Sequence, residues 1–179
     1  MKRFFAAPFL KFSLALGLAL ACICASAQVV DERALLNDKV ARFIDEWHDD
    51  AAHARLSYFD KMAKDGVYIG TDKTERWTRD EFKAWAKRFF ERPSAWAFKS
   101  FNRHISFSED RRWIWFDEQL HTQMGICQAT GVIQQTAQGL EIMHYQLSLT
   151  VPNELTDYLA AGVKKLDEKN AEQKLMPKP

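Results

Sequence analysis

Apolar residues recur at helical spacing in the first half of this chain and alternate singly in the second, and the change falls at Pro93. Leu36, Val40, Phe43, Ile44 and Trp47 form one stripe, which predicts an amphipathic helix from Asp31 to about Trp47. Ala52, Leu56, Phe59 and Ala63 predict a second, short helix that stops at Asp65-Gly66. A third helix is marked at its start by a capping box of Thr78 and Glu81, with Trp77 and Phe82 at the staple positions around it. Its apolar face is Phe82, Trp85, Ala86 and Phe89, and Lys87 and Arg88 complement the dipole near its end, before Pro93 forbids continuation.

Four strands are predicted beyond Pro93, at about 97–107, 112–121, 125–136 and 140–151, with turns at Glu109-Asp110 and Gln138-Gly139. Helices followed by a run of antiparallel strands describe an α+β domain in which helices cover one face of a curved sheet. Leu155, Tyr158, Leu159 and Val163 continue at helical spacing into a charged tail, read as a terminal helix and a disordered end over 155–179.

The other end changes the picture most. Lys2 and Arg3 precede an apolar run from Phe12 to Ile23 and the small-residue triplet Ala25-Ser26-Ala27, the order of a secretory signal peptide spanning 1–27 and cleaved before Gln28. The run is shorter than the roughly 17–25 residues a membrane span needs. Acylation at Cys22 is the competing reading, although a leucine three places before the cysteine is missing. The expected address is therefore periplasmic or secreted. Removing Lys2, Arg3 and Lys11 takes Lys+Arg from 25 to about 22 against 24 Asp+Glu, so no basic surplus remains to attract nucleic acid or an anionic membrane. Cys22 and Cys24 leave with the leader, and Cys127 alone cannot form an internal disulfide.

The stretch DGVYIGTDKTERW from Asp65 to Trp77 resembles a loop-and-strand segment of SnoaL-like proteins, a branch of the nuclear transport factor 2-like superfamily. WIWFDEQL from Trp113 to Leu120 and YQLSLTVPNE from Tyr145 to Glu154 resemble later strands of the same family. The resemblance implies a cone-shaped fold over residues 28–154, with N-terminal helices packed on a curved antiparallel sheet and a cavity between them. It does not imply one task, because the superfamily includes isomerases, cyclases, dehydratases and non-catalytic binding or assembly domains. Two departures weaken any transfer of a relative's ligand: Gln128, Ala129 and Thr130 precede Gly131 where many relatives carry an arginine, and Leu140 opens the last strand in place of a tryptophan.

Strand alternation then nominates the inner wall. Ile142, His144, Gln146 and Ser148 share one face of the last strand, and the resemblance implies that this row faces the cavity. Trp115 and Asp117 are assigned to the cavity in the earlier strand, although a one-residue change of register would place Phe116 and Glu118 there instead. Asp117 and His144 are thus a candidate acid–base pair, with Gln146, Trp115, Tyr58 and Trp77 as candidate ligand contacts and Trp85 as a further aromatic wall. The plainer reading makes His144 a hydrogen-bonded core residue and Asp117 a sheet-surface partner for an arginine such as Arg103. His48 and His53 fit no metal motif and are expected to be solvated, whereas Cys127 is expected to be a small buried strand residue. Nothing in the sequence calls for a cofactor or a metal. Two functions follow, an exported protein enclosing a small, largely apolar ligand or a cofactor-independent isomerase, cyclase or dehydratase, with a purely structural dimerisation domain as a third. A homodimer is expected through the apolar row Met143, Tyr145, Leu147 and Leu149.

Overall fold

The structure is a computed structural model that describes residues 32–175. The expected leader, its cleavage at Gln28 and the last four residues of the tail lie outside the described residues.

Helix α1 (residues 32–52) runs one turn further than its stripe predicted. Ala54 then takes a left-handed backbone (φ 51°), and Arg55 N–H donates to the Asp50 carbonyl at 2.8 Å, closing the helix end as a glycine usually would. Because an alanine holds that position, the stop carries no sequence mark. Asp50 is clamped by Arg55 and Lys61, which fixes the turn into the one-turn helix α2 (Ser57–Asp60).

The predicted second helix ends there, and β1 (Met62–Ile69) begins at once. Ala63 had appeared to extend a helical face, yet it is buried in a strand that runs parallel to the last one. Gly66 permits this docking, since a Cβ there would stand 2.7 Å from the Ile142 carbonyl oxygen. A loop leads to the short β2 (Arg76–Thr78), paired antiparallel with β1, and then to α3 (Arg79–Phe90).

The capping box is present where expected. Thr78 N–H donates to Glu81 Oε2 at 2.8 Å, and its hydroxyl donates to the same oxygen at 2.7 Å. Thr78→Ala is expected to lower stability by about 1 kcal/mol. An unchanged denaturant midpoint would show that this cap does not hold the helix start.

Strands β3 (Lys99–Phe107), β4 (Trp113–Thr122), β5 (Gly125–Gln135) and β6 (Leu140–Leu149) follow the predicted meander closely. The six-stranded sheet has the order β2-β1-β6-β5-β4-β3. It is mixed rather than antiparallel throughout, because β1 joins β6 in parallel. Helices α1 and α3 cover its inner face, and Val40, Ile44, Trp47, Phe82, Ala86, Ile114, Phe116, Ile133 and Tyr145 meet in the core between them. Cys127 is fully buried, as its strand position suggested.

Beyond a short 3-10 turn (Asn153–Leu155), helix α4 (Thr156–Leu175) stands clear of the core, with Tyr158 78% exposed. Among the described residues its predicted stripe stays exposed at Leu155, Tyr158, Leu159 and Val163, although Lys73 of the β1–β2 loop pairs with Asp167.

Candidate functional site

The site depends on which residues face inward, and one bulge in β6 decides that. Val132 of β5 pairs with His144 while the next residue, Ile133, pairs with Ile142, so Met143 is an extra residue against its neighbour. Strict alternation would put Ile142, His144 and Gln146 on one face. The bulge instead sends Ile142, Tyr145 and Leu147 into the core and turns His144 and Gln146 outward. Half of the row expected to join two subunits is therefore spent on the domain's own core, since Tyr145 and Leu147 are buried while Leu149 is exposed.

In β4 the alternation is regular, but the other register holds. Ile114, Phe116, Glu118 and Leu120 are buried, whereas Trp115 is 48% exposed and Asp117 lies on the outer face. Three apolar residues gain more from burial than two tryptophans and an acid would, provided that Glu118 is paired. Asp117 pairs across the sheet with His104, at 3.0 Å, and not with Arg103. Trp115, Val132 and His144 stand in one cross-strand row, with Asp117, Thr130 and Gln146 in the next. Asp117 and His144 do share a face, but it is the outer one, and neither lines the cleft.

Of the other expected contacts, Tyr58 is buried in the core and stacks on Trp47 at 4.7 Å, while Trp77 and the expected aromatic wall Trp85 both line the cleft itself. That cleft, of about 170 Å³, opens between α3, the β1–β2 loop and the sheet. Trp77, Trp85 and Trp96 form its walls around Phe82, whose ring stacks on Tyr68 at 3.9 Å. Tyr68, Phe82 and Leu147 are its buried inner members, while Thr71, Glu75, Gln123 and Met124 stand at the more exposed end.

Behind the inner wall lies a buried polar network. His48 Nε2 donates to Glu118 Oε1 at 2.6 Å, and Arg103 Nε donates to Glu118 Oε2 at 2.8 Å. The same guanidinium reaches Asp45 at 2.8 Å, the Ala41 carbonyl at 3.0 Å and the Ser100 hydroxyl at 2.9 Å. Burial on its own would raise the Glu118 carboxyl, but the His48 hydrogen bond and the Arg103 charge outweigh it and hold the group below its ordinary value. His48 is buried and not solvated as expected, while His53 is exposed. A sequence signal existed: Val40, Ile44, Trp47, His48 and Ala51 fall on one helical stripe.

Two polar atoms of this region have no protein partner: His48 Nδ1 and the Tyr145 hydroxyl. Their rings are neighbours, with centroids 6.4 Å apart. Phe98 stands edge-on to His48 and also lines the cleft, and Tyr68 lies 5.3 Å from Tyr145, so the cleft and the network share a wall.

Comparison with solved structures returns the same architecture. A nuclear transport factor 2-like protein of unknown function from Pseudomonas putida superposes with a TM-score of 0.56 at 10% identity, covering 68% of this chain and 91% of that one. A second such protein, from Shewanella oneidensis, gives 0.54 at 12% identity, with 63% and 98% covered. ActVI-ORFA from Streptomyces coelicolor gives 0.50 at 15% identity, with 63% and 96% covered. At these identities the likeness concerns the fold alone. No curated protein sequence matches significantly. The profile of the SnoaL-like domain matches residues 40–152, a stretch that runs from the middle of α1 to the end of the sheet and contains both the cleft and the His48–Glu118 pair, and the chain therefore belongs to the SnoaL-like family within the nuclear transport factor 2-like fold.

Proposed function

We propose that this chain is an exported binding protein that encloses a small, largely apolar molecule between α3 and the inner face of the sheet. The observation that carries this reading is the cleft itself: three tryptophans and two phenylalanines surround a space of about 170 Å³, and the polar side chains Thr71, Glu75 and Gln123 lie at its open end. Aromatic walls with a few polar groups at one end suit a flat apolar ligand, which gains from contact with ring faces and leaves its polar atoms near water. Export rests on the leader, with its basic start, apolar run and Ala25-Ser26-Ala27 triplet.

Native mass spectrometry of the protein taken from its own periplasm or culture medium tests both parts. The expected result is a chain beginning at Gln28 with one small molecule retained per chain. A chain beginning at an acylated Cys22 would overturn the soluble form, and a chain that neither retains nor takes up any apolar compound would overturn the binding reading.

A second reading, a cofactor-independent isomerase, cyclase or dehydratase, is favoured by one observation. An imidazole oriented by a buried carboxylate, His48–Glu118, lies behind the Phe98 wall of the cleft, on its inner side, whereas Asp117 and His144 stand on the outer face of the sheet. His48→Gln separates the two: an enzyme would lose turnover by orders of magnitude and keep much of its affinity, whereas a binding protein has no turnover to lose. The expected homodimer would use the outer face, where Trp113 and Trp115 are exposed, rather than Tyr145 and Leu147.

A further inference from the structure

Charge is distributed around the cleft in one sense only. Among the described residues that line it, Glu75 is the single charged side chain, and no lysine, arginine or histidine lines it. Thr71 and Gln123, at the same open end, are neutral. Glu75 is set in place by its own turn: Asp72 N–H donates to Glu75 Oε2 at 3.2 Å, Gly70 N–H donates to the Glu75 carbonyl at 2.9 Å, and a Cβ at Gly70 would collide with the carboxylate. The nearby cations are engaged elsewhere, Lys73 by Asp167 and Arg79 by Asp80. The charge of Glu75 is felt at the inner wall, where burial first and then this carboxylate raise the Tyr68 phenol above its ordinary value.

The walls carry the same sign, because an aromatic ring is negative over its faces and indole most strongly so. The planes of Phe82, Trp85 and Trp96 lie within 22° of one another, so their negative faces share one axis. Outside the lining, Arg88 already stands over the Trp85 ring at 5.7 Å, a cation on one of these indoles. We infer that the cleft is a site for an organic cation, a quaternary ammonium or alkylated ring nitrogen on an apolar body, with its positive centre beside Glu75 and its body among the tryptophans. An anion would meet both the Glu75 carboxylate and the ring faces, and a plain hydrocarbon would leave the carboxylate without a counter-charge. A protonated amine would bring N–H groups that the rings cannot satisfy, whereas an alkylated nitrogen spreads its charge over apolar surface and loses little hydration. A hard metal ion needs several oxygen ligands, and no group of three His, Cys, Asp or Glu stands together among the described residues. This inference rests on the binding reading of the cleft and adds to it the sign and direction of the ligand's charge.

The test uses phenyltrimethylammonium, its uncharged isostere tert-butylbenzene and the anion benzenesulfonate, each titrated into the full mature chain at neutral pH by equilibrium dialysis. The first two have the same shape, and transfer from water favours the hydrocarbon. The cleft is expected to reverse that order, with phenyltrimethylammonium binding about tenfold tighter than tert-butylbenzene and benzenesulfonate weakest. That order is read on the parent chain and needs no variant. Glu75→Gln keeps an oxygen for the Asp72 N–H and removes the charge; it is expected to abolish most of the preference for the cation while leaving tert-butylbenzene binding unchanged. Binding of tert-butylbenzene or benzenesulfonate as tightly as phenyltrimethylammonium, or a Glu75→Gln chain that keeps the full preference, would overturn the cation site while leaving the cleft as a binding site. Failure of all three probes to bind would overturn the binding reading and the cation site with it.

Discussion

Replacing Glu118 by glutamine is expected to destabilise the domain by roughly 3–5 kcal/mol at neutral pH, the range for removing one partner of a buried ion pair. Its carboxylate joins three elements, accepting from His48 on α1 and Arg103 on β3 while itself standing on β4. Glutamine can receive from only one oxygen, and it leaves the Arg103 guanidinium to Asp45, which is largely exposed. For a domain of this size the loss corresponds to a fall in melting temperature on the order of 10 °C. The sign of the pH dependence follows from the depressed carboxyl. A group whose folded value lies below its reference of 4.5 contributes stability that is fully present above that reference and is lost as pH falls through the folded value. The gap between parent and variant should therefore be widest at neutral pH and shrink in acid below about pH 4.5. Denaturant midpoints for both proteins at pH 7 and pH 3 decide the matter, and a gap of equal size at both would mean that the charge of Glu118 does not hold these elements together.

Phe82→Ala is expected to cost about as much, roughly 3–5 kcal/mol, for a different reason. Its ring stacks on Tyr68 at 3.9 Å and lies within 6.0 Å of both Trp77 and Trp85 and 5.8 Å of Trp96, so it is the residue on which the cleft walls rest. Removing it leaves a cavity under three rings that all pack on it. Near-UV circular dichroism should lose most of its tryptophan signal even at temperatures where the far-UV spectrum shows the backbone still folded. Phe82→Leu, which keeps most of the volume, should cost far less. A near-UV spectrum left intact by Phe82→Ala would show that the walls are held by something else.

The parts of the fold that were legible in the sequence are those where a local rule and the tertiary structure agree. Thr78 and Glu81 start α3 because a capping box satisfies backbone groups from within the segment, and β3 to β6 follow from alternation between turn residues. Cys127 is buried because it falls on the inner row of a strand. The missed features are those in which the chain departs from strict periodicity. An alanine in the left-handed region ends α1, and β1 was hidden because Phe59 and Ala63 stand at helical spacing across the junction of two different elements.

The candidate site failed in the same way, at single residues. One extra residue, Met143, reverses the faces of the second half of β6 and moves His144 and Gln146 out of the interior. In β4 the inner row contains an acid, and sequence alone gave no means of knowing that Arg103 and His48 would converge on it from two other elements. Alternation did leave the correct register open, with Phe116 and Glu118 inside. His48 was within reach too, since it continues the buried stripe of α1.

The six tryptophans divide into reporters that test the central claim in one titration. Trp77, Trp85 and Trp96 wall the cleft, Trp47 is sealed in the core, and Trp113 and Trp115 stand on the outer face of the sheet with Asp117 and His144. Nitrogen-15 labelling of the indoles gives one resonance for each, and titration with phenyltrimethylammonium or with the molecule retained by the native protein should move the resonances of Trp77, Trp85 and Trp96 while those of Trp113 and Trp115 stay in place. Movement of Trp113 and Trp115 with the cleft resonances unchanged would place the site on the outer face of the sheet and contradict the account.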